Sequence, residues 1–382
     1  MHRLTESAPT PADGSTGPIA CRFCRSGDGQ IVLDLGHQPT SELFPPVDDG
    51  AVDPVYPLRM WLCGGCGLAQ LADDVIVAEE PLGLEPAALT EQRRDAVAAV
   101  VAAGVLPAGG TVTEYPSPHG GTWLDPLIPH GFVPVPLGGQ ADVVVDGCFG
   151  IKHEADQLAA LRTRADAVAP GGTLVLLFHS LAAIMEGAQW NALRLGHFAY
   201  YSTPAMVGML AQLGMTVTSA HRFPLYGGTV VLTASRDGVP DPAGLPGLLD
   251  AELDAGVLRA DAVADLGGSV GRTVTALRAQ LEEHRAAGRR VYGYAAASRA
   301  VSLLCLVGAD TTLLAGVADA SPAKRGRRMP GTDVPVIPPE ELVAAEPDVV
   351  LVFVSDLMDE VRRALPQIEA AGGTWVDAGA GA

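Results

Sequence analysis

Three stretches decide the fold: GTVTEYPSPHGG at 110–121, ADVVVDG at 141–147 and GTLVLLF at 172–178. Each contains a short apolar run rich in β-branched or leucine residues, the composition of a buried strand. Strands are expected at 110–114, 141–146 and 172–178, with a turn over 115–121 and a helix over 153–168. Strands alternating with helices specify an α/β sheet. Two more apolar runs, 215–219 and 228–235, flank residues 221–227 and are expected to form an antiparallel edge. Upstream, 86–104 has helical periodicity with Glu91, Arg93, Arg94 and Asp95 on its polar face.

Further along, DGVPDPAGLPG opens a Gly-, Pro- and Asp-rich stretch over 237–257 that reads as a linker. A long amphipathic helix is expected over 261–287. A second α/β unit follows, with a strand at 290–294, a small-residue turn at 295–298, a helix to 307, a strand at 313–319 and a last strand at 348–354. That order is Rossmann-like, although GxGxxG is absent.

The N-terminal part carries two cysteine pairs, Cys21-Arg-Phe-Cys24 and Cys63-Gly-Gly-Cys66. Two CxxC knuckles bring four thiolates around one Zn²⁺, and Gly64, Gly65 and Gly67 allow the tight turn beneath them. Two disulfides or a redox pair would need an oxidising compartment or a thioredoxin-like frame, and neither is indicated. Four thiolates leave no open position, so this zinc is expected to be structural. Cys148 and Cys305 lie in apolar surroundings and read as core residues.

The chain has 382 residues, which predicts two or three domains, each large enough to fold unaided. Its formal charge of −19 argues against nucleic-acid and anionic-membrane partners. Mean hydropathy is +0.24, yet no apolar run approaches the roughly 18 residues of a membrane span. MHRLTESAPTPADGSTGP has no apolar segment behind its basic start, so a disordered N-terminus and a cytoplasmic location are expected.

CRFC, LDLGHQP and YPLRMWLCGGCGLAQL, then GHFAYYS (196–202), LYGG (225–228), VYGYAAASRAVSLL (291–304) and DASPAKRGRRMPGTDVPV (319–336) follow in order. Together they resemble the three-domain sugar C-methyltransferases of deoxysugar and antibiotic biosynthesis. The resemblance implies an α/β protein with a disordered tail at 1–17 and a β-rich zinc-binding domain at 18–75. A class I methyltransferase-like Rossmann domain at 76–236 follows, its sheet seven-stranded. A linker at 237–260 and a C-terminal Rossmann-like nucleotide-sugar-binding domain at 261–382 complete the chain.

The implied reaction moves a methyl group from S-adenosylmethionine (SAM) to C3 of an NDP-linked, typically TDP-linked, 4-keto-deoxysugar through an enolate. His197 becomes the candidate acid/base residue, with Tyr200 and Tyr201 as hydrogen-bond partners of the sugar. Glu114, Ser117, Gly120, Gly121 and His153 are the implied cofactor contacts. Tyr294, Ser298, Arg299, Lys324 and Arg325 are the implied sugar-nucleotide contacts, the cations suiting a diphosphate.

The departures from the family pattern gather in the cofactor region. The Glu-x-Gly-Ser-Asn-x-Gly loop is here Glu114-Tyr-Pro-Ser-Pro-His-Gly-Gly, with prolines where amide donors are useful. FVPVPLGG at 132–139 has no carboxylate for the ribose, Gly196 replaces a Glu before His197, EEPLGLEPAAL at 79–89 lacks the tyrosine, and Phe178-His179 stands where a carboxylate follows the central strand. Two other readings therefore stand beside methyl transfer. One is SAM-independent chemistry at the same acidic carbon, epimerisation or ketoreduction; the other is a non-catalytic sugar-nucleotide-binding partner.

Overall fold

A computed structural model of the chain describes residues 17–75, 83, 85–240 and 244–379. The expected disordered segment falls almost wholly outside these residues, as does part of 79–89. In chain order the strands are β1 Gly29–Pro39, β2 Val55–Cys63, β3 Ala69–Leu71, β4 Gly110–Glu114, β5 Phe132–Pro134, β6 Ala141–Asp146, β7 Val168–His179 and β8 Ala199–Tyr200. They continue with β9 Thr216–Phe223, β10 Thr229–Ser235, β11 Val291–Tyr294, β12 Val317–Ala318, β13 Val336–Ile337, β14 Val349–Val352 and β15 Thr374–Asp377.

These strands form three sheets. The first, β1-β2-β3-β8, is antiparallel and carries the cysteine knuckles. The second, β5-β4-β6-β7-β10-β9, is parallel except for β10, which runs against both its neighbours. The antiparallel edge is therefore as expected, but the sheet has six strands among the described residues, not seven. The third, β13-β12-β11-β14-β15, is wholly parallel. The architecture is thus a β-rich N-terminal module followed by two Rossmann-like α/β sheets. No helix among the described residues is long and apolar enough to cross a membrane.

Several expected boundaries shift, each for a local reason. The helix over 153–168 is Gln157–Asp166, because the Asp156 carboxylate caps it by accepting from the Ala159 amide. His153 instead ends a separate 3-10 turn, Gly150–His153. The strand expected at 313–319 shrinks to β12, since Asp310 folds the preceding residues into a turn by accepting from the Thr312 and Leu313 amides. The strand at 348–354 is not the last, for β15 pairs beyond it. Its half-buried Thr-Trp-Val-Asp lacks the apolar run that marks an interior strand.

The segment 237–260 is not a plain linker. It contains a helix, Leu245–Asp254, whose Glu252 is buried. The Glu252 carboxylate accepts from the Ser180 hydroxyl at 2.7 Å and from the Thr203 amide at 2.5 Å, clamping this helix to the second sheet. Nor are the cores separate. One continuous apolar cluster joins Leu58 and Met60 of β2, Trp190 and Phe198 before β8, Leu277 and Leu281 of the long helix Ala260–Ala286, and Val301 and Leu304 near the third sheet.

Truncating Glu252 strands two buried donors. Glu252→Ala is expected to destabilise the chain by about 2–4 kcal/mol, read as a lower urea midpoint at unchanged slope; an unshifted midpoint would show that the helix is not held by this carboxylate.

Candidate functional site

The metal centre is built by the turn before β1 and the turn after β2, which the antiparallel pairing of Gly29 with Cys63 brings to one end of the first sheet. Sγ of Cys21 lies 3.5 Å from that of Cys66, Cys24 Sγ lies 3.5 Å from Cys63 Sγ, and all four sulfurs fall within 4.8 Å of one another. Zn–S bonds of about 2.3 Å place tetrahedral thiolates roughly 3.8 Å apart, so the four residues fit zinc. Backbone amides of Phe23 and Gly65 point at Cys21 and Cys63, at 3.4 and 3.3 Å. The hydrogen bond with Cys66 holds Cys21 well below the usual thiol range, in the thiolate form a metal takes.

A second site lies where the second and third sheets meet the segment before β8. Its pocket is lined by Phe149 and Lys152, by Phe178 and His179 at the end of β7, by Arg194, His197, Tyr200 and Tyr201, and by Arg299. The loop carrying His197 is fixed at many backbone points. The Phe198 amide donates to the Lys152 carbonyl at 2.7 Å, and its own carbonyl accepts from the Leu71 amide at 3.2 Å. β8 then pairs with β3, and the Leu181 amide donates to the Tyr201 carbonyl at 2.7 Å. His197 is 3% exposed, and burial, with Arg194 and Lys152 adding to it, holds its pKa well below the ordinary histidine value. The imidazole is therefore neutral, the form that accepts a proton.

His197 and Arg299 are brought together, although a hundred residues separate them. Arg299 lies over the Tyr226 ring, 5.2 Å from its centroid, and burial lowers its pKa. Arg194 was not anticipated; its guanidinium reaches Glu42 at 4.0 Å, while its Nε is buried with no hydrogen-bond partner among the described residues. Lys152 and His179 were missed as well, His179 Nε2 lying 2.8 Å from the Tyr226 carbonyl. His179 stands where the family pattern has a carboxylate after the central strand, a signal that could have marked it, whereas Arg194 and Lys152 stand in no recognisable motif.

Other expected contacts are taken up by the protein itself. The Tyr200 hydroxyl accepts from the Arg194 amide at 2.9 Å and donates to the Arg194 carbonyl at 3.4 Å, while Tyr201 donates to Gln157. Both rings line the pocket, but their hydroxyls hold the loop. The Glu114 carboxylate accepts from the Thr122 hydroxyl at 2.6 Å and the Trp123 amide at 2.7 Å. Ser117 accepts from the His119 amide at 3.3 Å. Gly121 has φ +86°, and a Cβ there would meet Arg93, Glu85 and Cys148, whereas Gly120, at φ +73°, has nothing within 4 Å of that position. His153 lies between His119 and His197, ring centroids 5.0 and 4.8 Å away.

The basic cluster 324–328 is not a free diphosphate cradle. Lys324 is buried, its Nζ donating to the Ala296 carbonyl at 2.8 Å and to Asp319 at 3.0 Å. Arg325 pairs with Glu340 at 3.3 Å on the surface. Arg327 donates to the Phe44 carbonyl at 2.6 Å, and Arg328 grips Asp53 at 2.6 and 2.8 Å. The last two arginines tie the N-terminal module to the third sheet. Likewise, the amides of Ala295, Ala296 and Ala297 donate to the Ala318 carbonyl, Asp319 and the Ala295 carbonyl. Tyr294 packs edge-on against Trp375 at 5.8 Å, and Ser298 opens the helix Ser298–Val307.

This arrangement, a four-cysteine module followed by two Rossmann-like sheets, has counterparts among known proteins. Residues 224–378 match the family model described as C-methyltransferase C-terminal domain, and residues 21–79 match a zinc binding domain model. The C-methyltransferase NovU of Streptomyces niveus is 22% identical, across 89% of this chain and 90% of its own length. An O-methyltransferase family protein from Burkholderia thailandensis overlays at TM-score 0.29 and 17% identity, over 40% of this chain and 59% of that one. Magnesium protoporphyrin IX methyltransferase from Synechocystis overlays at 0.28 and 16% identity, over 39% and 84%. The chain is a methyltransferase-type α/β protein. The two models at its ends and the relative that spans it support the three-domain C-methyltransferase family.

Cys63 sits on β2, so its thiolate links metal and sheet. Cys63→Ser is expected to lower bound zinc by one per chain and to broaden or abolish the thermal transition; full zinc content in elemental analysis of that variant would contradict the four-thiolate assignment.

Proposed function

We propose that the protein transfers a methyl group to the carbon beside the ketone of a nucleotide-linked 4-keto-deoxysugar, C3 of a TDP-sugar being the favoured position and carrier. The observation that carries this reading is the neutral, buried His197 facing a pocket with Arg194, Arg299 and Lys152. A proton beside a ketone is acidic because the resulting enolate spreads its charge onto oxygen. His197 takes that proton, and the guanidinium of Arg194, its Nε lacking a hydrogen-bond partner among the described residues, stabilises the negative oxygen. Arg299, reaching in from the side of the third sheet, meets a phosphate or sugar oxygen of the same ligand.

SAM supplies an electrophilic methyl group when bound. The fit for it lies in backbone more than in side chains. In a parallel sheet a ligand binds beyond the C-terminal ends of the strands where the order reverses, here β4 and β6. The turn after β4 keeps an open, left-handed Gly120 through which a ligand approaches closely, and Ser117 and His153 border it. Glu114 shapes this turn through Thr122 and Trp123.

One feature favours the second reading, SAM-independent chemistry at the same carbon. The Trp123 indole, 2% exposed, packs against Gly147 just past β6 and donates to its carbonyl at 2.7 Å, filling part of that crevice. In that case His197 would remove the proton from one face of the carbon and water would deliver one to the other face, giving epimerisation, with the same oxyanion contacts.

Titration calorimetry of the zinc-loaded chain with SAM, with and without TDP, separates the two. Micromolar binding is expected; no heat in either state would leave the proton-transfer reading, tested by solvent deuterium exchange into the sugar. His197→Ala is expected to reduce turnover at least about 100-fold, and near-normal turnover would remove His197 from the mechanism. Because burial lowers the His197 pKa, the protonated, inactive form accumulates only below the ordinary value of 6.5. The acid limb of kcat/KM is thus expected below pH 6.5, and a limb above about pH 7 would contradict this assignment.

A further inference from the structure

Three histidines from three separate segments converge at the rim of the pocket. His119 stands in the turn after β4, His153 at the end of the 3-10 turn after β6, and His197 in the loop before β8. Their ring centroids are 5.0, 4.8 and 6.3 Å apart, and one ring nitrogen of each lies within 4.8 Å of the other two. Imidazole–metal bonds of about 2.0–2.1 Å put tetrahedral nitrogens roughly 3.4 Å apart, so the cluster needs to contract by little more than about 1 Å. His119 can supply that movement, being solvent-exposed and followed by Gly120, which nothing crowds.

We propose that His119, His153 and His197 form a second metal site for a divalent transition cation, distinct from the four cysteines and open on the pocket side. Three imidazoles suit zinc, iron(II), cobalt(II) or nickel(II) better than calcium or magnesium, which prefer oxygen. Three protein ligands leave a fourth position for an outside ligand. Lys152 and Arg194 oppose a bare dication there, as both act electrostatically on His197. The cation is therefore bound together with an anion on its open position, a hydroxide or a substrate oxyanion. A cation on the His197 lone pair also stops that imidazole from accepting a proton, so metal-bound and base-competent His197 are alternative states.

This proposal rests on the cluster's geometry and is independent of the methyl-transfer reading. Its test is metal content, read on the full chain by equilibrium dialysis against Zn²⁺ followed by elemental analysis. Two zinc ions per chain are expected in the wild type and one in each of His119→Ala and His153→Ala. One ion in the wild type, or two in both variants, would overturn the site. His119 is on an exposed turn, so His119→Ala keeps the test valid if His153→Ala fails to fold; circular dichroism of each variant checks this. Co²⁺ added to chain already holding zinc in its thiolate site gives a second reading. Visible d–d bands without thiolate-to-metal charge transfer are expected, lost in His119→Ala, whereas charge transfer or bands that persist in the variant would count against the site.

Discussion

The pairing of two residues, Ala199 and Tyr200, with Gln70 and Ala69 is the constraint on which the pocket depends. Through it, a short segment inserted between β7 and β9 of the second sheet becomes the edge strand of the cysteine-bearing sheet. β3 follows directly on the knuckle of Cys63 and Cys66, so a metal held by the thiolates fixes the register of β3, and β3 fixes β8. His197 lies only two residues before that strand. A metal on the thiolates would therefore bear on the proposed chemistry at a distance, by setting backbone geometry and not by touching a ligand of the pocket. The continuous apolar cluster beneath, with Leu58, Trp190, Phe198 and Leu304, makes this coupling stiff, because close-packed side chains transmit displacement with little slack.

The acidic chain uses its scarce cations in two ways. Some are locked in structural pairs. Arg164 holds the wholly buried Asp146, the last residue of β6, at 2.7 Å. Removing either partner of such a pair costs about 3–5 kcal/mol, since it leaves a buried charge uncompensated. Lys324 and Arg328 are similarly committed, to Asp319 and Asp53. A smaller set, Lys152, Arg194 and Arg299, is concentrated at the pocket, where three segments meet. A ligand entering there meets positive charge in a molecule that is otherwise negative, which favours an anionic substrate in that place over adventitious anions elsewhere.

The turn after β4 has been rebuilt around the protein's own contacts. Glu114 faces Thr122 and Trp123, the Trp123 ring covers Gly147, and Gly121 accommodates Arg93 and Glu85. Pro116 and Pro118 cannot donate amide hydrogen bonds, so the turn offers fewer donors than a glycine-rich loop. The same turn delivers His119 to His153 and His197. One short segment thus shapes the crevice past β6 and places His119 in the histidine cluster.

Local patterns were sufficient for much of this. Apolar runs at 110–114 and 141–146 became β4 and β6 at the same residues, and the cysteine spacing marked the metal centre, because strand burial and thiolate chelation depend on near neighbours in the chain. The resemblance of GHFAYYS to the family's loop pointed to His197, which the structure places in the pocket wall. What the sequence left open were partnerships between distant segments. Lys324 and Arg325 read as phosphate ligands until Asp319 and Glu340 are seen to pair with them, and Tyr200 and Tyr201 as sugar contacts until Arg194 and Gln157 take their hydroxyls. The helix Leu245–Asp254 was hidden by its Gly- and Pro-rich surroundings, and only the burial of Glu252 against Ser180 and Thr203 accounts for where it docks. The sequence by itself determined the three-part α/β architecture and the thiolate metal site; only the tertiary structure decided which cations face a ligand, because neutralisation depends on which side chains the fold brings within a few ångströms.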